Sequence, residues 1–162
     1  MDFATRIKQR YTAECYGPDG VLKWSDTFDN LVTTEGLNKY LDATLKTGLT
    51  TPAWYVGVVT AKSTGYAAGD TLASHAGWTE GTPYAGNRPA WTPGAVAAGS
   101  VDNSAAKASF TLNATATVFG CFLCAATSGT AGILLGVGDF SGGSKGVAAG
   151  DTLQVTVTCS LS

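Results

Sequence analysis

Charge is what this chain has least of. Asp, Glu, Lys and Arg make up 14% of its 162 residues, against about 25% in an ordinary soluble domain. Ten basic groups face twelve acidic ones, a net charge of −2. No positive excess exists to displace counterions from phosphates, so nucleic acid is not an expected partner. No run of 18 apolar residues occurs, so no membrane span is expected. The opening Met1-Asp2-Phe3-Ala4-Thr5-Arg6 lacks the basic stub and apolar core of an export signal. The expectation is a protein made in the cytoplasm of its host cell. Disorder is excluded by four Trp, six Tyr and six Phe. The length fits a single domain, 1–162, that buries about 70% of its unfolded surface.

Histidine is scarcer still, with His75 alone. Ser74 or Ser104 could be imagined beside it in a triad, but no G-x-S-x-G elbow or oxyanion loop accompanies them. A loop histidine held by hydrogen bonds or packed on Trp78 is the plainer reading. The cysteines are Cys15, Cys121, Cys124 and Cys159. Cys121 and Cys124 form a C-x-x-C inside an apolar, strand-like stretch, where positions three apart face opposite sides of a sheet. A zinc site needs two more ligands, and no partner motif supplies them. Buried structural thiols are expected, with no metal and no cofactor. The stretch Gly138-Asp139-Phe140-Ser141-Gly142-Gly143-Ser144-Lys145 fails as a phosphate loop in spacing and lacks a following helix; a glycine-rich hairpin turn is expected. Asp26 and Asp29, at the end of the first hairpin, read as solvated strand-edge acids.

What is present is β periodicity. Residues 6–16 alternate, with Tyr11, Ala13 and Cys15 on one face. Gly17-Pro18-Asp19-Gly20 is a turn signal, and 21–28 alternate again, giving a hairpin. Thr33-Thr34-Glu35 caps one helix of about 33–45. Its Leu37, Tyr40, Leu41 and Leu45 form a stripe expected to lie on a sheet. Further strands are expected at 53–60, 108–112, 115–125, 133–140 and 152–161. Ala67-Ala68-Gly69-Asp70-Thr71-Leu72 is echoed by Ala148-Ala149-Gly150-Asp151-Thr152-Leu153, the second copy launching the last strand. The pattern predicts a mainly β protein, an antiparallel β-sandwich of jelly-roll type, with the helix in a crossover.

Residues 62–107 read as a long loop carrying four aromatic rings. Charge thins at the same point: residues 1–46 hold six of the ten basic and seven of the twelve acidic groups. Protein–protein contacts deplete Lys, Glu and Asp and favour Trp, Tyr and Arg. Trp78, Tyr84, Arg88 and Trp91, with His75, therefore stand as candidate interface residues. The competing reading folds these rings back over the domain's own open edge. A mobile N-terminal segment, 1–10, with Arg6, Lys8 and Arg10, is a second candidate contact. Its plainer reading is a frayed first strand.

Three stretches carry a family resemblance: Asn30-Leu31-Val32-Thr33-Thr34-Glu35-Gly36-Leu37-Asn38, then Trp54-Tyr55-Val56-Gly57-Val58, then Asp70 through Glu80 (DTLASHAGWTE). With the closing Gly150-Asp151-Thr152-Leu153-Gln154-Val155-Thr156-Val157, the chain resembles small structural proteins of tailed bacteriophages, most of all head decoration (cement) proteins. The resemblance implies a β-rich, non-enzymatic virion part without fixing its position in the particle; the primary expectation is the capsid surface. Its partners would be the major capsid protein and further copies of itself, as a homodimer or homotrimer. A tail or fibre component that stacks Trp78, Tyr84 and Trp91 on a receptor glycan is the alternative.

Overall fold

Strict alternation makes the first hairpin. In β1 (Ile7–Tyr16) the odd positions Gln9, Tyr11, Ala13 and Cys15 are buried while the even ones face water. Gly17–Gly20 turns the chain into β2 (Leu22–Asp29). The computed structural model describes residues 6–48 and 50–162. After β3 (Leu31–Val32), α1 (Thr34–Leu45) crosses to β4 (Trp54–Lys62). The section expected as one long loop contributes β5 (Trp78–Gly81), β6 (Ala90–Trp91) and β7 (Ser100–Asp102). Then come β8 (Ala108–Thr111), β9 (Ala116–Val118), β10 (Gly120–Cys124), β11 (Leu134–Asp139), β12 (Lys145–Val147) and β13 (Thr152–Leu161).

These strands form two antiparallel sheets, as in a β-sandwich. The first runs β2-β1-β13-β7, with β8 also on β13; the second runs β3-β11-β10-β4-β5, with β6 also on β4. A ribbon of β9 and β12 closes one side. These orders do not establish the jelly-roll winding expected from the strand count. The N-terminal segment is no free arm from Arg6 onward: β1 pairs with β13 from Ile7↔Leu161 to Tyr16↔Thr152. Residues 1–5 of that expected segment lie outside the described residues.

The main core lies between the sheets and includes Tyr11, Phe28, Val56, Val58, Phe110, Cys121, Leu123 and Val155. A second core covers the other face of the second sheet: Val59, Phe122, Cys124, Leu134 and Val137 from the strands meet Leu72 and Trp78. β10 is therefore buried at every position, because both of its faces are covered. Gly57 makes this layer possible. A Cβ there would lie 2.1 Å from the Phe122 ring, which needs the bare backbone to lie across.

The echo is a true local repeat. Asp70 and Asp151 each donate a backbone N–H to the carbonyl three residues back (3.0 and 3.1 Å). Each also accepts that residue's N–H on a side-chain oxygen (3.0 and 2.8 Å). The second copy does launch β13.

Cys121 and Cys124 belong to opposite faces, one in each core. All four thiols are free and buried. Burial, helped by the nearby Asp151 carboxylate, pushes Cys15 up to about 11, and burial likewise raises Cys121. The thiolate is the reacting form. Iodoacetamide at pH 8 is therefore expected to label less than one thiol per native chain and all four after denaturation. Rapid labelling of two or more in the native protein would contradict this packing.

Two expectations are corrected. Asp26 is buried, not solvated: in β2, Trp24, Asp26 and Phe28 point inward while Asp29 stays exposed. Its carboxylate accepts the Ser141 and Gly142 N–H groups and the Ser141 hydroxyl (2.9, 2.9 and 2.7 Å). Burial alone would raise its pKa, but these bonds and Lys145 outweigh it and hold the carboxyl below its usual value. The glycine-rich turn it anchors joins β11 to β12, which pairs with β9, so it is not a hairpin.

The helix also docks differently. Thr33 caps it by accepting the Gly36 N–H (3.0 Å). Gly36 lies so close to β11 that a Cβ would sit 2.4 Å from the Leu135 carbonyl. Gly36 and half-buried Tyr40 face the body, while Leu37, Leu41 and Leu45 are 39%, 57% and 75% exposed. The stripe expected to cover a sheet faces outward.

Candidate docking surface

The residues singled out as an interface have mostly been spent on the fold. Trp78 is 3% exposed. Its indole stacks on His75 with centroids 3.9 Å apart and leans on Phe122 at 5.3 Å, and its N–H donates to Asp70 (2.9 Å). His75 bonds through Nδ1 to the Thr71 carbonyl (3.0 Å). Tyr84 packs edge-on against Phe110 in the main core. Burial pushes its phenol pKa up, and its hydroxyl has no partner among the described residues.

Arg88 is a buried staple. Its guanidinium grips Glu80 with two bonds (2.7 and 2.5 Å) and donates to the Ala126 and Gly129 carbonyls (2.8 Å each). It also lies over the Phe122 ring at 5.4 Å. Trp78, Tyr84 and Arg88 are thus buried within the chain's own fold, at 3%, 5% and 4% exposure, with Tyr84 in the main core between the sheets. Trp91 is half-buried, its indole N–H donating to the Val157 carbonyl (3.0 Å). Arg6, just before the first strand, and Lys8 and Arg10 within it are exposed, and Arg10 is held by Asp29 (2.8 and 3.1 Å).

The apolar surface that stays open lies elsewhere. Among the described residues, apart from Val21, Leu22 and Leu31, the large exposed apolar residues are Leu37, Leu41 and Leu45 on α1, with Val96 and Leu161. Val96 and Leu161 rim a groove of about 450 Å³ at one open end of the sandwich. Its walls come from three places. Trp54 and Trp91, paired across β4 and β6, bring the second sheet; Val101, Cys159 and Leu161 bring the first; Lys39, Tyr40 and Ala43 bring α1. Burial raises the Tyr40 phenol above its ordinary pKa.

Sequence reasoning named Trp91 of this group and missed Trp54, Val96 and Leu161. Trp54 carried a signal, since a large aromatic at the first position of a strand sits at a sheet's end. Val96 and Leu161 carried none. Among the described residues no group of three His, Cys, Asp or Glu side chains could hold a metal ion, and no helix is long and apolar enough to cross a membrane. What this surface offers is contact area. No protein-family model matches the chain, and no curated protein matches it.

Proposed function

We propose that this chain is a non-enzymatic structural protein of a tailed-bacteriophage virion. It would be a cement protein that binds the outer surface of the major capsid lattice and stabilises the expanded head. One observation carries this reading: the apolar groove between the sheet ends, rimmed by Val96 and Leu161 at 75% and 55% exposure. Exposed apolar area beside a formed groove marks a surface that meets a protein, a ligand or a membrane, and a lattice contact needs the first of these. The mechanism is additive burial. A contact of about 1,600 Å² need hold only weakly when it is repeated around a closed shell. The exposed α1 stripe is the surface left for self-association.

The test is direct. Purified protein is expected to bind expanded shells, and purified particles to hold hundreds of copies. Val96→Asp together with Leu161→Asp should leave the melting temperature within about 2 °C and weaken shell binding at least tenfold, since each apolar side chain buried contributes about 1.5–3 kcal/mol. Unchanged binding by the double variant would refute this surface.

Trp54 and Trp91, side by side in the groove with Tyr40, support the second reading, a glycan-stacking tail or fibre component. That role requires tens of copies per particle and binding to host glycan rather than to shells.

A further inference from the structure

We infer that the groove takes an extended polypeptide segment carrying a large apolar side chain with a carboxylate beside it. The inference deepens the lattice-binding reading and rests on it only for the source of that segment. Three observations carry it.

The first is charge. Lys39 is the one charged side chain among the described residues lining a mostly apolar and aromatic groove. Among the described residues it makes no salt bridge. Of the other charged residues on that helix face, Asp42 and Lys46 are bonded to each other at 2.5 Å, and the Glu35 carboxylate accepts the Leu134 N–H (3.0 Å). A cation at the edge of an apolar cleft favours an occupant with a negative charge at that edge.

The second is size and wall chemistry. About 450 Å³ lies within the range of formed ligand pockets. Trp54, Trp91 and Tyr40, with Pro52 and Pro93, offer flat apolar faces for one or two large side chains.

The third is the backbone around the groove, which favours a polypeptide over a fatty acid of the same charge. Residues 51–53, before β4, and 92–96, after β6, lie outside any strand or helix. Within them Gly94 alone donates a hydrogen bond to other backbone, to the Asp102 carbonyl (2.8 Å). The remaining peptide groups of these exposed runs can pair with a chain laid along them.

The test uses the purified full chain and two acetylated pentapeptide amides, Ser-Leu-Asp-Leu-Ser and Ser-Leu-Lys-Leu-Ser, with decanoate as a third probe. Binding is read by tryptophan fluorescence and calorimetry up to about 5 mM, where a millimolar complex is still seen. The aspartate peptide is expected to bind about tenfold tighter than the lysine peptide. Lys39→Glu should reverse that order with an unchanged circular dichroism spectrum. Val21→Asp, exposed just before β2 and outside the groove lining, should bind as the parent does.

Absence of binding, equal affinity for both peptides, or indifference to Lys39→Glu would each overturn the inference. Decanoate binding tighter than either peptide would also overturn it, in favour of a lipid site. Shell binding without peptide binding would sink the groove's occupant and leave the cement reading intact. Peptide binding without shell binding would do the reverse.

Discussion

Trp78→Ala is expected to lower the stability of the isolated protein by roughly 3–5 kcal/mol, the usual cost of emptying a buried tryptophan site. In a domain of this length that corresponds to a fall in melting temperature of about 10–15 °C. The expectation follows from what the ring touches. His75 stacks on it, Phe122 meets it at a tilt and Tyr66 edge-on at 5.9 Å, and its N–H donates to the buried Asp70 carboxylate. Removing it opens a void over the second sheet and takes from the buried Asp70 Oδ2 one of its two N–H donors, leaving that of Ala67. The Asp70 turn carries Leu72 into the same cluster, so the cover over β10 loosens as a unit. Thermal unfolding followed by circular dichroism checks this. A melting temperature within 2 °C of the parent would show that the ring is a surface contact after all.

That prediction reverses what composition suggests about the same residue. Trp, Tyr and Arg mark protein interfaces because they combine large area with a polar handle. A segment folded over its own sheet needs the same three properties, so the composition of 62–107 could not separate the two. The separating signal lay elsewhere, in Val118-Phe119-Gly120-Cys121-Phe122-Leu123-Cys124. A strand apolar at every position has both faces covered. One face packs on the other sheet, so something had to lie on the second. Most strands were legible from their period, with β1, β2, β4, β11 and β13 near their expected bounds. Asp26 was legible in the same way, since it shares its parity with Phe28.

The helix shows where a pattern alone fails. Leu37, Leu41 and Leu45 form the most apolar line on α1, yet its docked side is set by Gly36, which permits the closest backbone approach. Contact distance outweighed side-chain apolarity there. The groove was illegible for a related reason. It exists where the ends of two sheets and α1 meet, and no local stretch of sequence encodes that meeting.

Arg88→Ala is expected to cost about 3–5 kcal/mol, because breaking a buried ion pair strands the remaining charge. The Arg88 side chain is 2% exposed and that of Glu80 21%, so water cannot fully take over the arginine's role. The loss does not end with the pair. The guanidinium also holds the Ala126 and Gly129 carbonyls, tying β5 to the turn between β10 and β11. Arg88→Lys should recover little, since one ammonium cannot span a bidentate carboxylate and two carbonyls in fixed directions. Arg10→Ala provides the contrast. Arg10 grips Asp29 with the same two-bond geometry, but their side chains are 62% and 67% exposed, and solvent screens such pairs almost completely. Its melting temperature should stay close to that of the parent, while both Arg88 variants unfold at markedly lower urea. Equal behaviour of Arg88→Ala and Arg10→Ala would mean that the cover over the second sheet does not depend on this staple. The residues 62–90 would then be free to leave the sheet and meet a partner, which is the role their composition first suggested.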